Sequence, residues 1–402
     1  MQIDVKSTLP TDATAGTLVG RVWRPELGGP SVVAIRADGV FDISRSFATM
    51  RDLAESPDPA ASVAGAHADR IGDLAAILAN TDETKRDAKK PWLLAPIDLQ
   101  AVKAAGVTFA ISLLERVIEE QARGAPERAA AARKDVESAL GGTVEKIKPG
   151  SPQAMALKKL KPGSEQAMRL KETLIAQGAW SQYLEVGIGP DAEIFTKCQI
   201  MASVGTGMSI GVLASSTWNN PEPEVVVVAT SKGKIVGATL GNDVNLRDVE
   251  GRSALLLSKA KDNNASSAIG PFIRLFDQTF SLDDVRRTQV RLSVKGTDGF
   301  VLEGASDVGK ISRDPEDLVS QMIGRHHQYP DGAVLFLGTM FAPVKDRDAK
   351  GMGFTHHVGD VVTIAADKLG ALTNVVTTSD QAPEWTFGVG DLMRNLAKRG
   401  LL

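Results

Sequence analysis

Pro221-Glu-Pro-Glu-Val-Val-Val-Val-Ala-Thr-Ser-Lys-Gly-Lys-Ile-Val-Gly-Ala-Thr-Leu-Gly-Asn-Asp243 is the stretch that decides the fold. Two β-branched runs flank Lys232-Gly233, the pattern of an antiparallel hairpin. Glu222 and Glu224 are two residues apart, so a strand turns both carboxylates to one face. Closing the hairpin about Lys232-Gly233 sets Asp243 opposite Glu222. Three carboxylates then converge at one end of an apolar ladder, which is costly unless a cation or protons lie between them. An all-oxygen set suits a hard divalent ion such as Mg²⁺ or Mn²⁺. The competing reading is a solvated hairpin end with ordinary surface acids.

The chain has 402 residues, 43% hydrophobic and 24% charged, which is ordinary globular composition and long enough for two domains or one with an appendage. A net charge of −3 supplies no field for nucleic acid, and no basic helix suggests a membrane binder. Cys198 is the single cysteine, so an intrachain disulfide framework is excluded. The first ten residues lack an apolar signal core and no run reaches membrane-spanning length, so a cytoplasmic location is expected. With 38 glycines and 5% aromatics, the composition fits a β-rich core with tight turns.

Outward from the hairpin, residues 16–44 alternate as a small antiparallel meander. Helices are expected over Ser46–Glu55 and His67–Asn80, the second with Ile71, Leu74, Ile77 and Leu78 on one face. A boundary near residue 90 separates a small N-terminal α/β domain from a catalytic domain over 91–402. Residues 97–110 read as a strand entering a helix. Residues 117–178 form a charged helical insertion, with a tandem echo of Lys148-Pro-Gly-Ser151 in Lys161-Pro-Gly-Ser164. Later strands are expected at Glu193–Gln199, Phe272–Phe276, Thr288–Lys295, Gly299–Glu303, Ala333–Leu337, Val361–Ile364 and Leu372–Thr377. Leu255, Leu256 and Leu257 are available to the core. Helices are expected at Pro315–His326, capped near Asp314, and at Val389–Lys398.

Several ordered blocks resemble the fumarylacetoacetate hydrolase superfamily: Pro-Glu-Pro-Glu with its valines, Gly241-Asn-Asp-Val-Asn-Leu-Arg-Asp248, Lys261 followed by Ala268-Ile-Gly-Pro271, Gly338-Thr339, and Val358-Gly-Asp-Val-Val362. Gly106-Val-Thr-Phe and Phe195-Thr-Lys197 match weaker family patterns. The resemblance implies a β-rich α+β fold, a mixed β-sandwich roll, and a homodimer. It makes Glu222, Glu224 and Asp243 the divalent-metal carboxylates, Arg247 a substrate-facing arginine and Lys261 the active-site lysine. Thr339, with the backbone of Gly338, falls where the substrate carboxylate is held.

The departures bear on the reaction. Where hydrolytic members place a histidine that activates water, this chain has Ser112, with Glu115 keeping the partner carboxylate. A serine without an adjacent base is a poor general base. Glu250 stands where hydrolases often carry glutamine. Trp218-Asn-Asn-Pro-Glu-Pro-Glu224 together with Lys259-Ala-Lys261 looks instead like the 2-keto-3-deoxy-sugar-acid dehydratases, which use Mg²⁺. On that resemblance Lys261 is the base that takes the C3 proton if burial or the nearby cation depresses its pKa, with Glu115 as acid, or the two exchanged. The alternatives are an acylpyruvate-type hydrolase and a non-catalytic carboxylate-binding protein.

Other features have plainer readings. Lys261 taken alone is a solvated loop lysine, and Arg247 is balanced between a substrate contact and an ion pair with Asp248. The His326-His327 and His356-His357 pairs point apart and make no shared site. Gly205-Thr-Gly207 lacks the setting of a dinucleotide loop.

Overall fold

The computed structural model describes residues 1, 3–139, 161–176, 181–341, 343 and 345–402. Its strands are β1 (Leu18–Arg24), β2 (Gly29–Arg36), β3 (Gly39–Asp42), β4 (Asp69–Gly72), β5 (Trp92–Leu93), β6 (Ala101–Gly106), β7 (Glu193–Cys198), β8 (Ser209–Val212) and β9 (Asn219–Asn220). They continue as β10 (Pro223–Ala229), β11 (Ile235–Asp243), β12 (Asn245–Leu246), β13 (Ser267–Leu275), β14 (Gln289–Lys295), β15 (Val301–Asp307), β16 (Ala333–Phe336), β17 (Val361–Ala366) and β18 (Gly370–Thr378).

The hairpin forms in the expected register. β10 pairs with β11 antiparallel, Pro223 with Asn242 and Glu224 with Gly241, and a bulge falls next to the turn at Val228/Ala229. The hairpin is the middle of an eleven-stranded sheet, order β4-β3-β2-β1-β13-β11-β10-β16-β6-β7, with β5 on β1. Val226 and Val228 pack into one core cluster and Val225 and Val227 into another. The second cluster also takes Leu292, Val294 and Ile364 from a five-stranded sheet, order β15-β14-β17-β18-β8, so the two sheets form a sandwich. Each valine buried in this way contributes roughly 1.5–3 kcal/mol.

The meander over 16–44 is β1-β2-β3, and β1 pairs with β13, which carries the large sheet without a break from the N-terminal strands into the hairpin. Two helix expectations shrink. Only Met50–Ala54 is helical, because Thr49 forms a capping box with Asp52 and starts the helix there. In the second, Asp69–Gly72 is β4 on the edge of β3, and the helix covers only Leu74–Ala79. The pairing offered by β3 outweighs the helical period before Asp73. Leu255 lies on a 3-10 turn at 94% exposure instead of joining the core.

The expected insertion and its flanks carry helices Ala110–Ala122, Pro126–Ala139, Glu165–Ala176 and Gln182–Ile188, with a small core around Leu113, Val117, Ile118 and Tyr183. The Lys148–Ser151 copy of the tandem echo lies outside the described residues. The helix over 315–326 ends at Met322 after its Asp314 cap, and the C-terminal helix spans Val389–Lys398. Among the described residues no helix is long and apolar enough to cross a membrane.

Candidate active site

The open end of the hairpin is where three carboxylates meet. Asp243 N–H donates to the Glu222 carbonyl at 3.1 Å, which fixes the two residues face to face. Glu224, two positions on, points to the same side. One oxygen from each of Glu222, Glu224 and Asp243 lies within 4.8 Å of the others, and all three residues are buried. The solvated-end reading is therefore excluded. Glu224 accepts from Gly338 N–H at 2.7 Å, so the loop after β16 orients it. Burial, then the charges of Asp243 and Glu222, push the Glu224 carboxyl well above its usual range. Burial also opposes ionisation of Asp243, but Lys261 and Lys197 outweigh it and hold that group low.

Two buried lysines reach the cluster. Lys261, at the end of the short helix Leu257–Lys261, places Nζ 2.7 Å from Glu222 Oε2, 3.1 Å from Asp243 Oδ2 and 3.5 Å from Glu250 Oε1. Burial alone lowers its pKa, but Asp243, Glu222 and Glu250 raise it above the ordinary value, so in this state the ammonium is charged. The expected depression is thus reversed, because carboxylates and not a cation surround it. Lys197 on β7 bonds the Lys261 carbonyl at 2.6 Å and lies 3.0 Å from Asp243 Oδ1.

A helix face closes the other side. Ser112, Glu115, Arg116 and Glu119 recur at i, i+3, i+4 and i+7 on Ala110–Ala122 and line the cavity. Arg116 bonds Glu222 Oε1 at 2.8 Å, Glu119 at 2.8 Å and Glu250. Arg247 bonds Glu119 at 2.7 Å and Glu115 at 3.3 Å, and stacks over Trp218 with its guanidinium 4.3 Å from the ring centre. It does not pair with Asp248, which accepts from Ser216 Oγ and Thr217 N–H instead. Glu115 is also held by Arg133 at 2.7 Å. Ser112 Oγ donates to the Phe109 carbonyl at 2.9 Å.

The cavity between these groups is about 50 Å³. Thr339 lines it, while the Gly338 amide is committed to Glu224. All nine residues singled out by sequence are therefore gathered around one cavity. Sequence reasoning missed Arg116, Glu119, Glu193 and Asn245, and noted Lys197 without a role. The polar stripe on the Ala110–Ala122 helix was the available signal for the first two. Glu193, half-buried at the wall, has its carboxyl pushed up by burial against the pull of Arg116 and Lys261. Burial also pushes Glu250 up to about 7, against Arg116 and Lys261.

The residues present fit a hard divalent ion. Three oxygen donors converge, and the like charge that lifts Glu224 is what such an ion would relieve. The histidine pairs lie elsewhere. His356 is buried on Asp360 at 3.3 Å, and His357 reaches Asp348 and Asp298.

The fumarylacetoacetate (FAA) hydrolase C-terminal family model matches residues 190–377. A probable 2-keto-3-deoxyxylonate dehydratase of Haloferax volcanii is 31% identical over 196 residues, 49% of this chain and 64% of that protein. A 2-dehydro-3-deoxy-D-arabinonate dehydratase of Saccharolobus solfataricus is 33% identical over 187 residues, 46% of this chain and 58% of that protein. The alignments thus span under two thirds of these curated relatives' length. A solved 2-keto-3-deoxy-D-arabinonate dehydratase, complexed with magnesium and 2,5-dioxopentanoate, shares the fold at TM-score 0.59 and 23% identity, covering 90% of this chain and 99% of that one. Just under half of the chain, residues 190–377, is thus similar to the fumarylacetoacetate hydrolase C-terminal family.

Proposed function

We propose that this chain is a Mg²⁺-dependent hydro-lyase that removes water from a 2-keto-3-deoxypentonate to give 2,5-dioxopentanoate. The observation that carries the reading is the buried Glu222–Glu224–Asp243 set with Lys261 Nζ 2.7 Å from Glu222. Both curated relatives are named as dehydratases of such acids, which supports it.

Glu222, Glu224 and Asp243 would hold the ion, with Mn²⁺ a chemical substitute. When bound, it supplies Lewis acidity toward the carboxylate and keto oxygens of a 2-keto acid. The reaction takes a proton from C3, which the ketone acidifies, and expels the C4 hydroxyl as water. A proton shift from C5 to C3 gives the C4–C5 enol, whose hydroxyl proton then moves to C4 to form the aldehyde, so substrate becomes product plus one water. Lys261, whose Nζ lies nearest the carboxylates, is one group for proton transfer. Glu115, held between Arg133 and Arg247, is the second group for proton transfer. Thr339 and Arg247 serve substrate binding. Ser112 Oγ is committed to the Phe109 carbonyl, and among the described residues no hydrogen bond joins it to a base that would activate water for hydrolysis. On this reading residues 91–402 form the catalytic unit beside a small N-terminal unit. The homodimer that the family resemblance implies is the proposed assembly, and the cytoplasm is its proposed compartment.

The test incubates purified protein and Mg²⁺ with racemic 2-keto-3-deoxypentonate and follows 2,5-dioxopentanoate through a coupled dehydrogenase. Product formation that EDTA stops and Glu222→Ala abolishes is expected. Pyruvate release from an acylpyruvate, without any dioxopentanoate, would overturn the reading in favour of a hydrolase.

A further inference from the structure

Asn245 brings to the cavity an amide whose polarity its neighbours fix. It lies on β12 opposite Asn220 of β9, and both residues line the cavity. The Pro221 carbonyl can only accept a hydrogen bond, and Asn220 Nδ2 donates to it at 2.9 Å. Asn220 must therefore turn Oδ1 toward Asn245, which meets it with Nδ2 at 3.4 Å. That leaves Asn245 Oδ1 as an acceptor, buried and without a partner among the described residues. Turning the Asn245 amide over would set oxygen against oxygen. A buried acceptor left unsatisfied is unfavourable, and a donor on the bound molecule relieves it.

We propose that Asn245 Oδ1 accepts a hydrogen bond from a hydroxyl at C4 or C5 of the substrate and is a specificity-determining residue. This rests on the reading of the site as one for a 2-keto-3-deoxy sugar acid. The keto-acid end is a matter for the carboxylate cluster and its cations. Asn245 adds a neutral acceptor that distinguishes a hydroxylated tail from an alkyl one. A site built to bond a hydroxyl discriminates strongly against an analogue that lacks it.

Calorimetric titration of the Mg²⁺-supplemented protein with 2-oxopentanoate, 4-hydroxy-2-oxopentanoate and 5-hydroxy-2-oxopentanoate tests this. At least one hydroxylated acid is expected to bind about 10-fold tighter than 2-oxopentanoate. Asn245→Leu should level that preference and leave 2-oxopentanoate affinity within about twofold, which also reports an intact metal site. Asn220→Leu, which removes the acceptor that fixes the Asn245 amide, should reduce the preference in a second background. No preference in the wild type, or a preference that survives Asn245→Leu, would overturn the proposal. Failure of the dehydratase reading would appear separately, as no conversion of 2-keto-3-deoxypentonate while the hydroxyl preference persists.

Discussion

Asp243 N–H donates to the Glu222 carbonyl at 3.1 Å, so two buried carboxylates leave the hairpin end from facing residues, with Glu224 beside them. Burial and like charge already oppose ionisation of Glu224. A divalent cation should therefore bind the folded state and stabilise it by mass action. The melting temperature is expected to rise with Mg²⁺ concentration, by about 2.7 kcal/mol of stability at a hundred times Kd. Glu224→Ala should abolish the rise. Melting curves that ignore Mg²⁺ in the wild type would remove the metal assignment.

Lys261 neutralises this cluster and is also the group proposed for proton transfer. Its Nζ contacts Glu222, Asp243 and Glu250, all buried. Lys261→Met should lower kcat about 10²–10⁴-fold, the usual scale for a lost proton-transfer group. It should also cost about 3–5 kcal/mol of stability by leaving buried carboxylates uncompensated. Added Mg²⁺ should restore part of the stability and none of the activity, which chemical denaturation and the coupled assay would separate. Full activity in Lys261→Met would exclude the lysine from catalysis.

The hairpin and its metal-type end were legible because a strand's period of two and a glycine turn fix both face and register, and Glu224 does pair with Gly241. The rest of the site was legible only through the family resemblance. Lys261 sits in a short helix whose local sequence resembles any solvated lysine stretch. Lys197 and Asn245 come from separate strands whose approach depends on sheet order, with β7 at the edge and β9 on β12. Local periodicity carries no information on such distances. The same limit explains Asp69–Gly72, where pairing with β3 overrides a helical pattern.

The buried His356–Asp360–Arg347 group gives the protein an acid limit away from the cavity. Burial holds His356 below its ordinary value of 6.5, so below that pH the unfolded chain binds a proton that the folded chain refuses. Its contribution to stability is present above about 6.5 and declines as pH falls. Asp360 loses some ionisation to burial, but hydrogen bonds from Arg347, His356 and His357 N–H hold it far below 3.8. Its contribution is present above that ordinary value and is lost as pH falls further. The stability difference between wild type and His356→Gln should therefore change with pH below about 6.5, and that for Asp360→Asn below about 4. Flat differences from denaturant curves across these windows would refute the assignment.

Gly338 joins the fold to the metal-type site at one backbone position. Its φ is +86°, and an added Cβ would lie 2.1 Å from Thr108 Oγ1 and 2.9 Å from the Ala105 carbonyl. Thr108 Oγ1 already donates to the Leu337 carbonyl at 2.7 Å, so it has little freedom to yield. Gly338→Ala should thus cost at least about 1 kcal/mol from the left-handed backbone alone. Because the Gly338 N–H orients Glu224, the displaced loop should also weaken Mg²⁺ binding. The expected signature is a lower melting temperature without Mg²⁺ and a further shortfall in the Mg²⁺-induced rise. Thr108→Ser in the same background keeps the hydroxyl and leaves the clash, whereas Thr108→Ala removes the closest atom and should recover part of both losses. If Gly338→Ala melts like the wild type and binds Mg²⁺ as tightly, the loop after β16 does not set the position of Glu224.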